Sequence, residues 1–252
     1  MPPTMSHYKL TLAYDGTAYH GWQVQPEQRT IQGTIEAAIL RLTGRTVRVT
    51  ASGRTDAGVH ALGQVASFAA ECRLAAAELG PALNAVLPED IAVLDVCEVP
   101  SGFHPIRDAV RKCYRYLIHN GPVRDVFARR YAWHVAQPLD LTAMQRAALP
   151  LLGTHDFSSF ETSGAPRESS VRTVSRLDLK RDAAETTRIV LEIEADGFLY
   201  NMVRAIVGTL VEVGRGAEPE DWPARVLTAQ DRSAAGPTAP SQGLFLVYVE
   251  YE

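Results

Sequence analysis

The stretch best equipped for chemistry is Ser52-Gly53-Arg54-Thr55-Asp56-Ala57-Gly58-Val59-His60-Ala61. Two glycines flank an Arg and an Asp on a tight connection between segments that read as strands. Such a turn can lift a carboxylate clear of a sheet. An ionised carboxylate there can act as a nucleophile or as a base. The plainer reading of the same residues is an ordinary Asx-type turn.

The surrounding elements must hold that turn. Residues 8–14 alternate as a strand. Thr30 reads as a helix N-cap, Ile31, Ile35, Ile39 and Leu42 recur at helical spacing, and Gly44 sits where a C-terminal cap belongs. Strands follow at 47–51 and 64–68, a helix at 74–86 and a strand at 91–99. The second half repeats the order. It has a strand at 114–119, a helix at 141–152 starting near Asp140, strands at 171–179 and 188–195, and a helix at 199–213. In that helix Leu199, Met202, Val203, Ile206, Val207 and Leu210 share a stripe. A short helix at 221–227 and a strand at 244–251 complete the chain, and residues 1–6 are expected to fray. Two β-α-β-β-α-β units in succession predict an α+β fold of two ferredoxin-like halves, 1–104 and 105–252. Their antiparallel sheets are expected to join into one extended sheet, with an active-site cleft between the halves.

Composition removes several classes. Three cysteines, Cys72, Cys97 and Cys113, form no C-x-x-C pair, which argues against a disulfide framework and a Cys-based zinc site. Reduced thiols fit a cytoplasmic protein. The N-terminus reads as no signal peptide, and no apolar run is long enough for a membrane span. The 252 residues carry a net charge of −4, which at first counts against a nucleic-acid partner. The charge is patterned, however. Residues 101–135 carry a net +5 and residues 171–181 a net +3, against −5 for 61–100 and −7 for 182–252. The basic excess includes Arg107, Arg111, Lys112, Arg115, Arg124, Arg129, Arg130 and the strand from Arg172 to Arg181. Such a surface can hold phosphates despite a negative total. The competing reading is that some of these Arg residues pair with acids.

The segment around Asp56 resembles the GRTDAGVHA signature of the TruA-type tRNA pseudouridine synthases. The resemblance runs, in order, through Gly21-Trp22-Gln23, Thr30-Ile31-Gln32-Gly33, Gly63-Gln64-Val65 and Leu87-Pro88-x-Asp90-Ile91. It continues through Lys112-Cys113-Tyr114-Arg115-Tyr116, Gly153-x-His155-Asp156-Phe157, Phe198-Leu199-x-x-Met202-Val203-Arg204 and Ala239-Pro240-x-x-Gly243-Leu244. It thus covers nearly the whole chain.

That resemblance implies an isomerase that converts uridine to pseudouridine at positions 38, 39 and 40 in the anticodon arm of tRNA. It implies a homodimer and no metal, nucleotide or redox cofactor. Asp56 is similar to the family's catalytic Asp, which acts as nucleophile or base. Arg204 is similar to the Arg that pairs with it. A neighbouring cation would keep the carboxylate charged against desolvation. On a helical wheel Arg204 falls beside the apolar stripe; without the motif it would read as a solvated helix charge. Tyr114 is similar to the Tyr that stacks on the target base, with Tyr116, on the same strand face, as a core residue. Arg54 is similar to the Arg that braces the extruded base. His60 reads as a structural hydrogen-bonding residue of the loop. One departure stands out: the family's His-x-Arg reads here His104-Pro105-Ile106-Arg107, with Ile106 in place of Arg and Arg107 one position later.

Other classes explain less. A non-catalytic pair of RRM-like modules would share the topology, but it has no need of Asp56 with Arg204, and its aromatic signature is not evident. A glycoside hydrolase wants two carboxylates, and the turn offers one. A zinc base deaminase needs the H-x-E and P-C-x-x-C pair, which is missing.

Overall fold

The computed structural model describes residues 5–162 and 169–252. In chain order the elements are β1 (Met5–Tyr14), α1 (Ile31–Thr43), β2 (Thr50–Ala51), β3 (His60–Glu71), α2 (Ala76–Asn84), β4 (Ile91–Val99), β5 (Ala109–His119), β6 (Trp133–His134), α3 (Leu141–Ala148), β7 (Gly153–Asp156), β8 (Val171–Arg181), β9 (Arg188–Ala195), α4 (Met202–Gly214), α5 (Trp222–Ala229) and β10 (Leu244–Tyr251). The architecture is mixed α and β. Of the residues expected to fray, 1–4 lie outside the described residues. Met5 and Ser6 are ordered in β1, where they pair with Glu71 and Ala70.

The chain forms two compact units, one of residues 1–110 with 245–252 and the other of 111–244. The sequence suggests a division at 104/105. The units also differ from it at the last strand: Phe245 and Leu246 pair in parallel with His60 and Ala61, so this strand counts with the first unit.

In the first unit β3 lies antiparallel to β1, and β1 antiparallel to β4; the short β2 pairs with β3. Leu10 and Leu12 of β1 are fully buried, as are Ile31, Ile35 and Ile39 of α1. Burying each such side chain contributes roughly 1.5–3 kcal/mol. Thr30 caps α1 by accepting the Gly33 N–H, and Gly44 closes it in a left-handed conformation.

In the second unit β5, β9, β8 and β7 pair antiparallel in that order, and β6 runs parallel to β5. Ile189, Leu191 and Ile193 of β9 are buried, and so is the whole α4 stripe read from the sequence. Asp140 caps α3 by accepting the Ala143 N–H. Among the described residues no helix is long and apolar enough to cross a membrane.

Candidate active site

The turn bearing Asp56 joins β2 to β3 in the first unit. Its frame is a buried chain of neutral hydrogen bonds. Ser52 Oγ donates to Gln64 Oε1 (2.8 Å), and Gln64 Nε2 donates to Gly53 O (2.9 Å) and reaches the Tyr14 hydroxyl (3.3 Å). The Tyr14 hydroxyl in turn bonds Thr55 Oγ1 at 2.8 Å. Burial pushes Tyr14 up to about 12, against the opposing effect of these hydrogen bonds, so it stays a protonated donor. Thr55 O accepts the Trp22 N–H, and Asp56 O accepts the Val59 N–H.

Gly21 makes the approach of the Trp22 loop possible. It sits at φ 82, and a Cβ on it would lie 2.6 Å from Thr55 O and 3.1 Å from Ala57 N. Only glycine fits both the backbone conformation and the space. The turn therefore presents Asp56 half-buried, next to a buried Thr55 and an exposed Arg54. Arg54 makes no hydrogen bond or ion pair among the described residues, so its guanidinium is available to a ligand.

His60 behaves as the sequence suggests. It is 1 % exposed, lies stacked on Phe245 at 4.7 Å, and its Nδ1 faces both Gly16 N and Asp15 Oδ1 at 3.1 Å. One nitrogen cannot accept from Gly16 and donate to Asp15 at once; either tautomer ties the loop to the end of β1. Ile106 is exposed, and Arg107 is tied to its own turn, through Gly102 O (3.1 Å) and Asp108 Oδ1 (3.4 Å).

Tyr114 and Arg204 belong to the second unit. Tyr114 faces Ile193 across β5–β9, is 8 % exposed, and meets the edge of Phe198 at 5.0 Å and 84°. Tyr116, two residues on, is fully buried, and its hydroxyl donates to Pro240 O (2.7 Å), which fits a core role. Burial raises its pKa.

Arg204 is not a solvated helix charge. It is half-buried; Nε donates to Ala239 O and Nη1 to Asn201 Oδ1, each at 2.7 Å. Ala239 N donates back to Arg204 O (3.0 Å). Gly208 lets that segment press on α4: a Cβ there would lie 1.7 Å from Pro237 O. Asn201, left-handed at φ 62, also donates to Thr162 Oγ1 (3.1 Å). The helix dipole adds positive character near this end of α4.

The structure corrects the charge-patch reading in part. Arg111 pairs with Glu194 (3.1 Å), Arg115 with Glu192 (2.7 Å), and Arg176 with Glu192 (3.2 Å) and Glu194 (3.7 Å). These Arg residues are paired to acids on adjacent strands because Arg115 faces Glu192, and Arg176 faces Glu194, in register. Arg124 and Arg129 are exposed and make no such pair among the described residues.

Sequence reasoning missed Tyr14, Ser52, Gln64, Phe198 and Asn201 as supports. A detectable signal was present for Gln64: an amide inside an apolar strand must be hydrogen-bonded if buried. No comparable signal marks Asn201, whose role depends on its backbone conformation.

Comparison with known proteins identifies the family. A family model described as tRNA pseudouridine synthase matches residues 11–106 and 147–252. The chain is 52% identical over 246 residues to tRNA pseudouridine synthase A of Moorella thermoacetica, covering 96% of this chain and 98% of that one. It is 48% identical to the protein of that name from Brevibacillus brevis and 47% to that from Acetivibrio thermocellus, each over 98% of this chain and 100% of the relative. A chain matched over almost its whole length at this identity belongs to the family of tRNA pseudouridine synthases, RNA uridine isomerases.

Proposed function

We propose that this enzyme isomerises uridines 38, 39 and 40 in the anticodon arm of tRNA, with Asp56 as the catalytic nucleophile or base. The C1′–N1 bond breaks, the uracil turns, and a C1′–C5 bond forms; C5 loses its proton and N1 ends protonated. The observation that carries the reading is the turn itself. Four side chains and a glycine fix its backbone, and the Asp56 carboxylate is left half-buried at its tip. A carboxylate held this way is preorganised for attack or proton transfer.

The other roles follow from the resemblance. Arg204 keeps Asp56 ionised, and its fixed guanidinium supports that reading. Tyr114 offers its ring to the target base, and Arg54, exposed beside the turn, braces the space the base leaves. The reading keeps two ferredoxin-like halves, 1–104 and 105–252. The order β4-β1-β3, with β2 beside β3, supports it for the first. The enzyme acts in the cytoplasm as a homodimer and needs no metal or organic cofactor. Exposed apolar side chains on the second unit support the dimer: Phe127 is 89 % exposed, and Val123 and Val126 are exposed as well.

The test is incubation with unmodified tRNA followed by mapping of pseudouridine. New pseudouridine at 38, 39 or 40 is expected. Pseudouridine elsewhere only, or none, would overturn the assignment. A monomer mass at micromolar concentration would remove the dimer.

A further inference from the structure

We propose that Gln32, at the start of α1, is a positioning residue for the Asp56 turn. The inference rests on the reading of Asp56 given above and carries it to a side chain outside the turn's own frame.

Gln32 is 2 % exposed, and every hydrogen-bonding position of its amide is filled. Oε1 accepts from Gln23 Nε2 and from Val24 N, each at 3.0 Å. Nε2 donates to Glu36 Oε1 (2.8 Å) and to Val49 O (3.0 Å). Glu36 Oε1 also accepts the Val49 N–H (2.9 Å). The main-chain N–H of Gln32 donates to Trp22 O (3.0 Å). An amide has two acceptor sites on its oxygen and two N–H donors on its nitrogen. With all of them engaged, this one can neither flip nor slide without losing bonds.

The two segments it grips both lead to the turn. Val49 is followed by β2 and then by Ser52, whose N–H donates to Val65 O (2.7 Å). On the other side Trp22 N donates to Thr55 O (2.9 Å), and Gly21 lies against the backbone of Thr55, Asp56 and Ala57. A closed path therefore runs from Gln32 through Val49 and β2 into the turn. It returns from Thr55 through Trp22 to Gln32, and Asp56 follows Thr55 directly. Moving the amide shifts one end of this path against the other.

An apolar side chain could fill the same buried space at little net loss of stability, if its polar neighbours were replaced too. What the amide supplies is a fixed separation between residues 22–24 and residue 49. A reacting group misplaced by about 1 Å can lose about 10² in rate, even when the cause lies away from the chemistry.

The experiment measures tRNA affinity and steady-state and single-turnover pseudouridine formation, at a temperature below every variant's melting point. Gln32→Leu should lower kcat about 10- to 100-fold, with KM and tRNA affinity within about twofold of wild type. Gln32→Glu removes the donor to Glu36, sets two carboxylates side by side and should also be slow. Adding Glu36→Gln to it restores the bond between residues 32 and 36 and keeps the acceptors for Gln23, Val24 and Val49 N. That exchanged pair lacks only the donor to Val49 O and should recover most of the lost kcat. Leu83→Ala, in the buried core of α2, lowers the stability of the same unit and should leave kcat near wild type.

Wild-type kcat in Gln32→Leu, or a loss matched by Leu83→Ala, overturns the inference. So does a raised KM with kcat unchanged, which would assign Gln32 to tRNA binding. Should Gln32→Leu fail to fold, the exchanged pair decides: recovery over Gln32→Glu supports the role, and no recovery overturns it. Asp56→Asn, run in parallel, separates the two readings. Turnover retained there removes the reading of Asp56, whereas turnover lost there with wild-type kcat in Gln32→Leu removes this inference alone.

Discussion

Two polar clusters in this molecule are built on opposite principles. The Asp56 turn is framed by neutral groups, Tyr14, Ser52, Thr55 and Gln64, in a buried chain of hydrogen bonds. The ladder across β5, β9 and β8 is built of charges, Arg111, Arg115 and Arg176 against Glu192 and Glu194, and is partly open to solvent. Neutral bonds in the interior do not respond to salt or to moderate pH, whereas exposed ion pairs respond to both. The frame around the proposed reacting carboxylate is thus electrically quiet. It fixes geometry without adding a charge that would compete with Asp56 or with an incoming phosphate. The ladder ties strands β5, β9 and β8 together.

The largest expected effect tests the function of the quiet cluster. Asp56→Asn keeps the shape of the turn and removes the charge. Pseudouridine formation should fall by a factor on the order of 10³ or more, with tRNA affinity and thermal stability close to wild type. Retained turnover would remove Asp56 from the mechanism. Next comes the frame. Gln64→Leu removes the acceptor of the Ser52 hydroxyl and the donor to the Gly53 carbonyl from a buried frame, at about 2–3 kcal/mol. Thermal melting should show a drop of roughly 4–12 °C. An unchanged midpoint would mean that the chain of bonds contributes nothing net. Gly21→Ala should cost a similar amount, because its Cβ would press on Thr55 O.

A smaller effect is expected at Tyr114. Stacking on a base is worth about 1–3 kcal/mol. Tyr114→Ala should weaken tRNA binding accordingly, while Tyr114→Phe keeps the ring and most of the affinity. Equal affinities for the two variants would argue that the ring is no platform for the base.

The sequence shows the elements more clearly than their ends. The strands at 91–99, 188–195 and 244–251 and the caps Thr30, Gly44 and Asp140 match the structure, because alternation and capping are local signals. The strand expected over 47–51 shrinks to Thr50–Ala51 for a tertiary reason. Val49 N donates to Glu36 Oε1, and Val49 O accepts from Gln32, so α1 takes the backbone groups a strand neighbour would have used. The helix expected from Leu199 begins at Met202, since left-handed Asn201 cannot belong to a right-handed helix. Strand β7 went unread because its four residues are too few to show alternation. At the site, the Asp56 turn is legible from its motif. The Arg–Glu ladder is not, because register between strands far apart in sequence decides which charges meet.

The smallest effect sharpens the contrast between the clusters. Burial pushes the Glu192 carboxyl up, but Arg115 and Arg176 outweigh it and hold it below its ordinary value of 4.5. A carboxyl depressed in the folded state stabilises the protein above its unfolded pKa and loses that contribution as the pH falls through the folded one. Glu192→Gln should therefore cost about 1 kcal/mol at neutral pH, a size ordinary for a partly exposed pair. The difference from wild type should shrink as the pH drops below the carboxylate range. Gln64→Leu should cost the same at both ends of that range, since none of its partners titrates there. Urea unfolding of both variants at neutral and acid pH reads the two trends side by side. A penalty for Glu192→Gln that does not change with pH would mean that the ladder acts through its hydrogen bonds and packing, and the division between a quiet frame and a charged one would fall.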